Sequence, residues 1–205
     1  MADFNKAHKY IIKEEGGYQD MPNDTGNYTD GVLIGTNYGI SADTLKSFLG
    51  RTPTKDEMEN LSFDDAVIIY IQKYWSKILG DRIKNQSVAL LIYDGSVNQG
   101  RGAMRSVVGN AMRNLNANIS DDNVFSEAGI KKLNSLNQQK LFEEIYNGRK
   151  KRYEKGQVAF RAGHLKRLSG ITFNGNSKLP TWAIISISLG VVSLLTLSAY
   201  RIYKK

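Results

Sequence analysis

Phe4-Asn5-Lys6-Ala7-His8-Lys9-Tyr10-Ile11-Ile12-Lys13-Glu14-Glu15-Gly16-Gly17 is the stretch on which the fold turns. Phe4, His8, Ile11, Ile12 and Glu15 fall at offsets of four, seven, eight and eleven, which traces one helical face. The paired glycines then stop the helix, because glycine tolerates the positive φ of a helix end. Glu15 shares the stripe of Ile11 and Ile12, whereas Glu14 is turned roughly 100° away, toward solvent. A carboxyl in the last turn also meets the negative end of the helix dipole. Burial and dipole both favour its protonated form, an arrangement that stability alone would avoid. Spacing by itself fits a frayed helix end with two solvated glutamates rather better, since short motifs recur by chance.

From Asp20 to Ile40 the chain is rich in Gly, Asn, Asp and Thr with short apolar runs, which reads as a loop and a small β-hairpin. Asp20, Asp24 and Asp30 lie here. Glycosidic hydrolysis needs one protonated carboxyl and a second group, usually a carboxylate, to stabilise an oxocarbenium ion or deliver water. Asp24, in the turn Asn23-Asp24-Thr25-Gly26-Asn27, is the candidate for a solvated, ionised partner, although aspartates in such runs are more often turn formers. Thr36 could hold a water from the hairpin or be an ordinary strand residue.

Helices return afterwards. Ser41 is placed to cap a short one ending at Gly50. Thr54 with Glu57 and Ser62 with Asp65 have capping-box spacing. The second box opens a long helix expected to run through Ile69, Tyr70, Tyr74 and Trp75 to Gly80. Another is expected from Ser87 to Val97, breaking at Asn98-Gln99-Gly100. Further helices are expected near 103–115 and 127–133, and from Gln138 into the basic run Arg149-Lys150-Lys151-Arg152. Residues 169–180, with Gly, Pro, Ser, Asn and Lys, read as a linker.

The whole chain has 205 residues, 41% of them hydrophobic, enough for one medium domain or two small ones packed together. It has no cysteine, which excludes disulfides, thiol nucleophiles and thiolate metal sites. The two histidines, His8 and His164, would need a carboxylate to complete a zinc site. No metal and no cofactor are therefore expected. The net charge of +8 implies an anionic partner without choosing among nucleic acid, anionic lipid and wall polymer.

The N-terminus lacks the apolar core of a signal peptide. Thr181 to Tyr200 carries no charge and has the ~20 residues a helix needs to cross ~30 Å of hydrocarbon. Trp182 and Tyr200 sit at its ends, where aromatics favour the interface. Arg201, Lys204 and Lys205 crowd the far side more closely than Lys178, Arg167 and Lys166 do the near side, which favours a cytoplasmic C-terminus.

Glu15-Gly16-Gly17-Tyr18, Asp24-Thr25-Gly26-Asn27-Tyr28 and Gly35-Thr36-Asn37-Tyr38-Gly39-Ile40-Ser41 together resemble the signature of glycoside hydrolase family 108, the N-acetylmuramidases of phages and bacteria. Leu61–Ala66 and Tyr70–Trp75 are similar to the helix that follows there. Tyr93–Gly100 resembles the opening of the predicted peptidoglycan domain that accompanies such enzymes. The likeness covers most of residues 4–115 and is faint from 120 to 175. It implies a lysozyme-like α+β fold, mostly α with a small hairpin, and an essential acid at Glu15. A looser likeness to phage lysozymes implies Asp24 and Thr36 as its partners. One departure is Leu33-Ile34-Gly35, where the family commonly has paired glycines.

The reading adopted is a lysozyme-like muramidase domain over 1–90, a helical peptidoglycan-binding domain over 91–168, the linker 169–180 and a transmembrane helix over 181–200. Glu15, Asp24 and Thr36 are the catalytic candidates; Tyr18, Asn37, Tyr38 and Asn98 are candidate sugar contacts. The expected partners are peptidoglycan glycan strands and, through residues 181–200, the lipid bilayer, with no nucleic acid. The expected location is the bacterial cytoplasmic membrane, single-pass, with the catalytic domain on its outer face. The alternatives are a peptidoglycan-binding module without turnover and a holin-like membrane-acting protein.

Overall fold

The computed structural model describes residues 1–14 and 16–175. Glu15 and the expected membrane span 181–200 lie outside the described residues. Within them the chain is α+β and mostly helical, with one two-stranded antiparallel hairpin. Among the described residues no helix is long and apolar enough to cross a membrane.

Helix α1 spans Phe4–Glu14. Of its stripe, His8 and Ile11 are buried, together with the neighbouring Ala7, and Phe4 and Ile12 are half-buried. Strands β1 (Tyr28–Thr29) and β2 (Val32–Leu33) form the hairpin, with Tyr28 opposite Leu33 and Thr29 opposite Val32. Helix α2 (Ala42–Leu49) is capped by Ser41, which accepts from the Thr44 N–H, and closes at left-handed Gly50. Helix α3 (Lys55–Glu59) opens with the complete Thr54/Glu57 capping box. Helix α4 (Phe63–Tyr70) is capped by Ser62, whose side chain accepts from the Asp65 N–H.

The long helix expected to reach Gly80 does not form. After Tyr70 the chain widens into a π-helical turn (Ile71–Trp75), tightens to a 3₁₀ turn (Ser76–Ile78) and reverses at Leu79 with φ 51°. The cause is packing. The Trp75 indole lies flat on Gly80, where a Cβ would come within 2.3 Å of the ring, and Trp75 Nε1 donates to Asp81 at 2.8 Å. A π turn accommodates one extra residue and so rotates Trp75 off a regular helical path.

Helix α5 (Gln86–Asn98) runs through the centre, buried from Ser87 to Ser96 except for the half-buried Leu90. It packs on α1, the π turn, α6 (Arg101–Asn114) and α8 (Gln138–Lys155). Its apolar residues point all round, the pattern of an enclosed helix. Helices α7 (Glu127–Ser135) and α9 (Val158–Ser169) complete the set. Residue 90, the expected domain boundary, falls inside α5, and one cluster of buried side chains draws on both sides of it. The expected linker is not free at its start. Ile171 is fully buried, Phe173 packs 5.6 Å from Phe142, and the Asn174 N–H donates to Ser87 Oγ at 2.8 Å.

Arg149, the first residue of the basic run Arg149-Lys150-Lys151-Arg152, does not face solvent: its side chain is 0% exposed. It lies in phase with Leu141, Phe142 and Ile145 on the inner face of α8. Its Nη2 reaches Asp94 Oδ2 at 2.7 Å and Tyr153 Oη at 3.0 Å, and Nη1 donates to the Leu91 carbonyl at 2.8 Å. Arg167 of α9 donates from Nε to the other Asp94 oxygen at 2.8 Å. Two guanidiniums thus clasp one buried carboxylate, which offsets the cost of taking all three from water. Gly95 admits this cluster, since a Cβ there would stand 2.4 Å from Met104 Sδ and 3.0 Å from Arg149 Nε.

Candidate active site

The segment following Gly17 is drawn onto the far arm of the hairpin. Gln19 N–H donates to the Thr36 carbonyl at 2.9 Å, and Thr36 N–H returns a bond to Gln19 at 2.8 Å. Asn27, fully buried, then joins the side chains. Its Oδ1 accepts from Gln19 Nε2 at 2.9 Å and from Thr36 Oγ1 at 2.6 Å. Its Nδ2 donates to Gln19 Oε1 at 2.9 Å and to the Met21 carbonyl at 3.0 Å. All the polar capacity of this amide is satisfied.

Asp24 caps the 3₁₀ turn Thr25–Asn27, its Oδ1 accepting from the Gly26 N–H at 2.9 Å. Its Oδ2 accepts from Gln19 Nε2 at 3.0 Å. Asp24 and Thr36 are thereby brought into one neutral network through Gln19 and Asn27, which the sequence reading had not singled out. The signal for them is weak, because Gln and Asn in a turn-rich stretch carry no periodicity. The Thr36 hydroxyl gives its hydrogen to Asn27, so its oxygen offers lone pairs to anything that approaches.

The other two aspartates are engaged elsewhere. Asp20 pairs with Lys55 at 2.6 Å, and that bond holds its carboxyl below the usual range. Asp30 pairs with Lys46 at 2.5 Å and also accepts from Thr52, with the same consequence. Asp24 accepts only neutral donors among the described residues, so Asp24 is the carboxylate of the three not tied to a cation.

The proposed sugar contacts separate. Tyr18 lies against the hairpin, its ring over Gly35 and its hydroxyl donating to the Ile34 carbonyl at 3.3 Å. Burial, then the charge of Asp20, pushes its phenol pKa up. Gly35 has φ +99°, and a Cβ there would stand 2.6 Å from the Tyr18 ring, so glycine is required on both counts. Asn37 is 4% exposed and donates to the carbonyls of Met58 at 3.0 Å and Glu59 at 3.1 Å. Through these bonds it ties the segment after the hairpin to α3. Tyr38 turns edge-on to Phe63 and, with His8, Ile12 and Tyr70, lines a groove between α1 and α4. Asn98 lies apart from the hairpin network, at the end of α5, donating to the Asp94 carbonyl at 3.1 Å.

Deeper along α1, His8 stacks on Phe4 at 4.8 Å, and its Nδ1 lies 3.0 Å from Tyr93 Oη. Burial lowers its pKa to about 4, so at neutral pH the ring is uncharged. Among the described residues no three of His, Asp and Glu converge where a metal could sit.

Residues 8–100 match the family model described as Glycosyl hydrolase 108. A solved structure, described as "Structure of Brucella abortus SagA", is 26% identical with a TM-score of 0.69, covering 86% of this chain and 98% of that one. That coverage carries the likeness past residue 100. No curated protein matches the chain.

Proposed function

We propose that the chain is a peptidoglycan hydrolase of muramidase type, cleaving between N-acetylmuramic acid and N-acetylglucosamine. The observation that carries this reading is the joining of Asp24 and Thr36 by Gln19 and Asn27, close in sequence to the Glu-Gly-Gly-Tyr motif and inside the family-matched region. Glu15 acts as the general acid and protonates the glycosidic oxygen. A water that gives one hydrogen bond to Asp24 and one to Thr36 Oγ1 keeps a lone pair for the anomeric carbon. Asp24 takes up the proton or stabilises the cation. Gln19 and Asn27 fix both acceptors, which lowers the cost of ordering them during the reaction.

Residues 181–200 anchor the protein in the cytoplasmic membrane, with the catalytic region on the outer face, where its substrate lies. The uncharged run and the cations that follow it support this reading.

Mass analysis of digested peptidoglycan tests the reaction. Reducing muramic acid ends are expected from the wild type, and a loss of about 10²-fold or more from Glu15→Gln. Anhydro-muramic or peptide-cleaved products would overturn it. Labelling of a cysteine placed in the soluble region, with an impermeant reagent in spheroplasts, tests the topology.

A further inference from the structure

A second concavity of about 250 Å³ opens where the end of α5, the end of α8 and the start of α9 meet. Tyr153 and His164 form one wall, stacked at 4.8 Å, and Phe160 continues it at 6.3 Å from His164. Phe160 is 60% exposed. Burial, with Arg167 and Arg149 nearby, lowers the His164 pKa, which makes the imidazole an uncharged plate at neutral pH. Asn98, Gln99 and the exposed Arg152 also line it.

The floor is rigid because it rests on the buried ion cluster. Gln99 accepts from Arg149 Nε at 3.3 Å and donates to the Arg149 carbonyl at 3.2 Å. Tyr153 Oη is held by Arg149 at 3.0 Å. Asn98 donates to Asp94, and its Oδ1 takes no bond among the described residues. Arg152 makes no ion pair among them either. An aromatic wall, with Phe160 tilted 37° to His164, a free amide oxygen and one unpaired cation are the complement of a pyranose ring carrying an acetamide N–H and a carboxylate. The volume is just below the ~300 Å³ at which ligand pockets begin, so it suits one ring with the strand passing over its open side.

We propose that this cleft is a binding subsite for a single N-acetylated sugar with a free carboxylate, as found on wall-polymer strands stripped of their stem peptides, set apart from the hairpin network; the assignment rests on the glycan reading above. Phe160 and His164 receive the apolar face of the ring, Asn98 the acetamide N–H and Arg152 the carboxylate.

The test uses the full chain in detergent with Glu15→Gln, so that bound sugar is not turned over. Calorimetric titration with the N-acetylglucosaminyl-N-acetylmuramic acid disaccharide is compared with titration by chitobiose, which lacks the carboxylate. Phe160→Ala should weaken disaccharide binding by about tenfold. Arg152→Ala should remove the preference over chitobiose while leaving chitobiose affinity in place. Both side chains are exposed, so melting temperature serves as the control for folding. Unchanged affinities in folded variants would overturn the subsite. Should the wild type release no reducing muramic ends yet bind through Phe160, the hydrolase reading fails and the subsite stands. Hydrolysis by a wild type whose Phe160→Ala variant binds as its parent does leads to the opposite conclusion.

Discussion

The hairpin network and the cluster at the centre of the core solve the same problem in opposite ways. At Gln19, Asp24, Asn27 and Thr36, amides and a hydroxyl hold a lone carboxylate near the surface, with no cation involved among the described residues. At Asp94, Arg149 and Arg167, two cations hold a carboxylate that water cannot reach. A carboxylate meant to meet a changing ligand gains from neutral partners, because an ion pair would hold it in place and compete for its lone pairs. One meant only to fasten three helices gains from charge, because in a dry interior strong pairing offsets desolvation. The two kinds of environment separate the acid proposed for catalysis from the one that fastens the helices.

The largest blow to that contrast comes from Asp94→Ala. It leaves Arg149 buried opposite nothing and should destabilise by about 3–5 kcal/mol in denaturant unfolding. The double change Asp94→Leu with Arg149→Met should recover part of that loss, since it removes the two fully buried charges and leaves only Arg167, 10% exposed, without its carboxylate. Asn27→Ala takes one partner from each end of the Gln19 amide and the 2.6 Å acceptor from the Thr36 hydroxyl, and should cost about 1–3 kcal/mol. Wall hydrolysis should fall with it, because Thr36 loses the bond that aims its oxygen; Thr36→Ser should retain more activity than Thr36→Val.

A pH series sharpens the picture. The folded-state pKa of His8 is depressed, to about 4 from an ordinary 6.5. The unfolded chain therefore binds the extra proton more readily, and the stabilisation present above pH 6.5 is lost as pH falls toward 4. The slope should approach one proton, about 1.4 kcal/mol per pH unit at most, and His8→Gln should flatten it. The smallest effect is expected from Lys55→Met. The Lys55–Asp20 pair is exposed, so the unfolding midpoint should not move measurably.

How much of this could be read beforehand follows from how local each cause is. The α1 stripe, the caps at Ser41, Thr54 and Ser62, and the hairpin all depend on residues within a few positions of each other, and each is where the spacing puts it. The π turn at Ile71–Trp75 is not local, since it is set by the fit of an indole onto Gly80. Arg149 was hidden by its neighbours: three adjacent cations invite a surface reading, while its phase with Ile145 and Tyr153 points inward. Helix α9 was absorbed into the basic stretch because Arg161, Lys166 and Arg167 blur its apolar side. Within the site, Asp24 and Thr36 could be nominated from the motif, but Gln19 and Asn27 become visible only once residues 19 and 36 are seen paired.

The beginning and the end of the described chain are fastened to the same place. Asp3 exchanges hydrogen bonds with Gln86, and Asn174 meets Ser87, both at the head of α5. From that knot α1 rises as a strut of roughly 16 Å before the chain turns toward the hairpin. Whatever follows residue 175 therefore departs from the foot of the strut. A tether fixed there would carry the cutting edge of the molecule about one helix length ahead of its mooring.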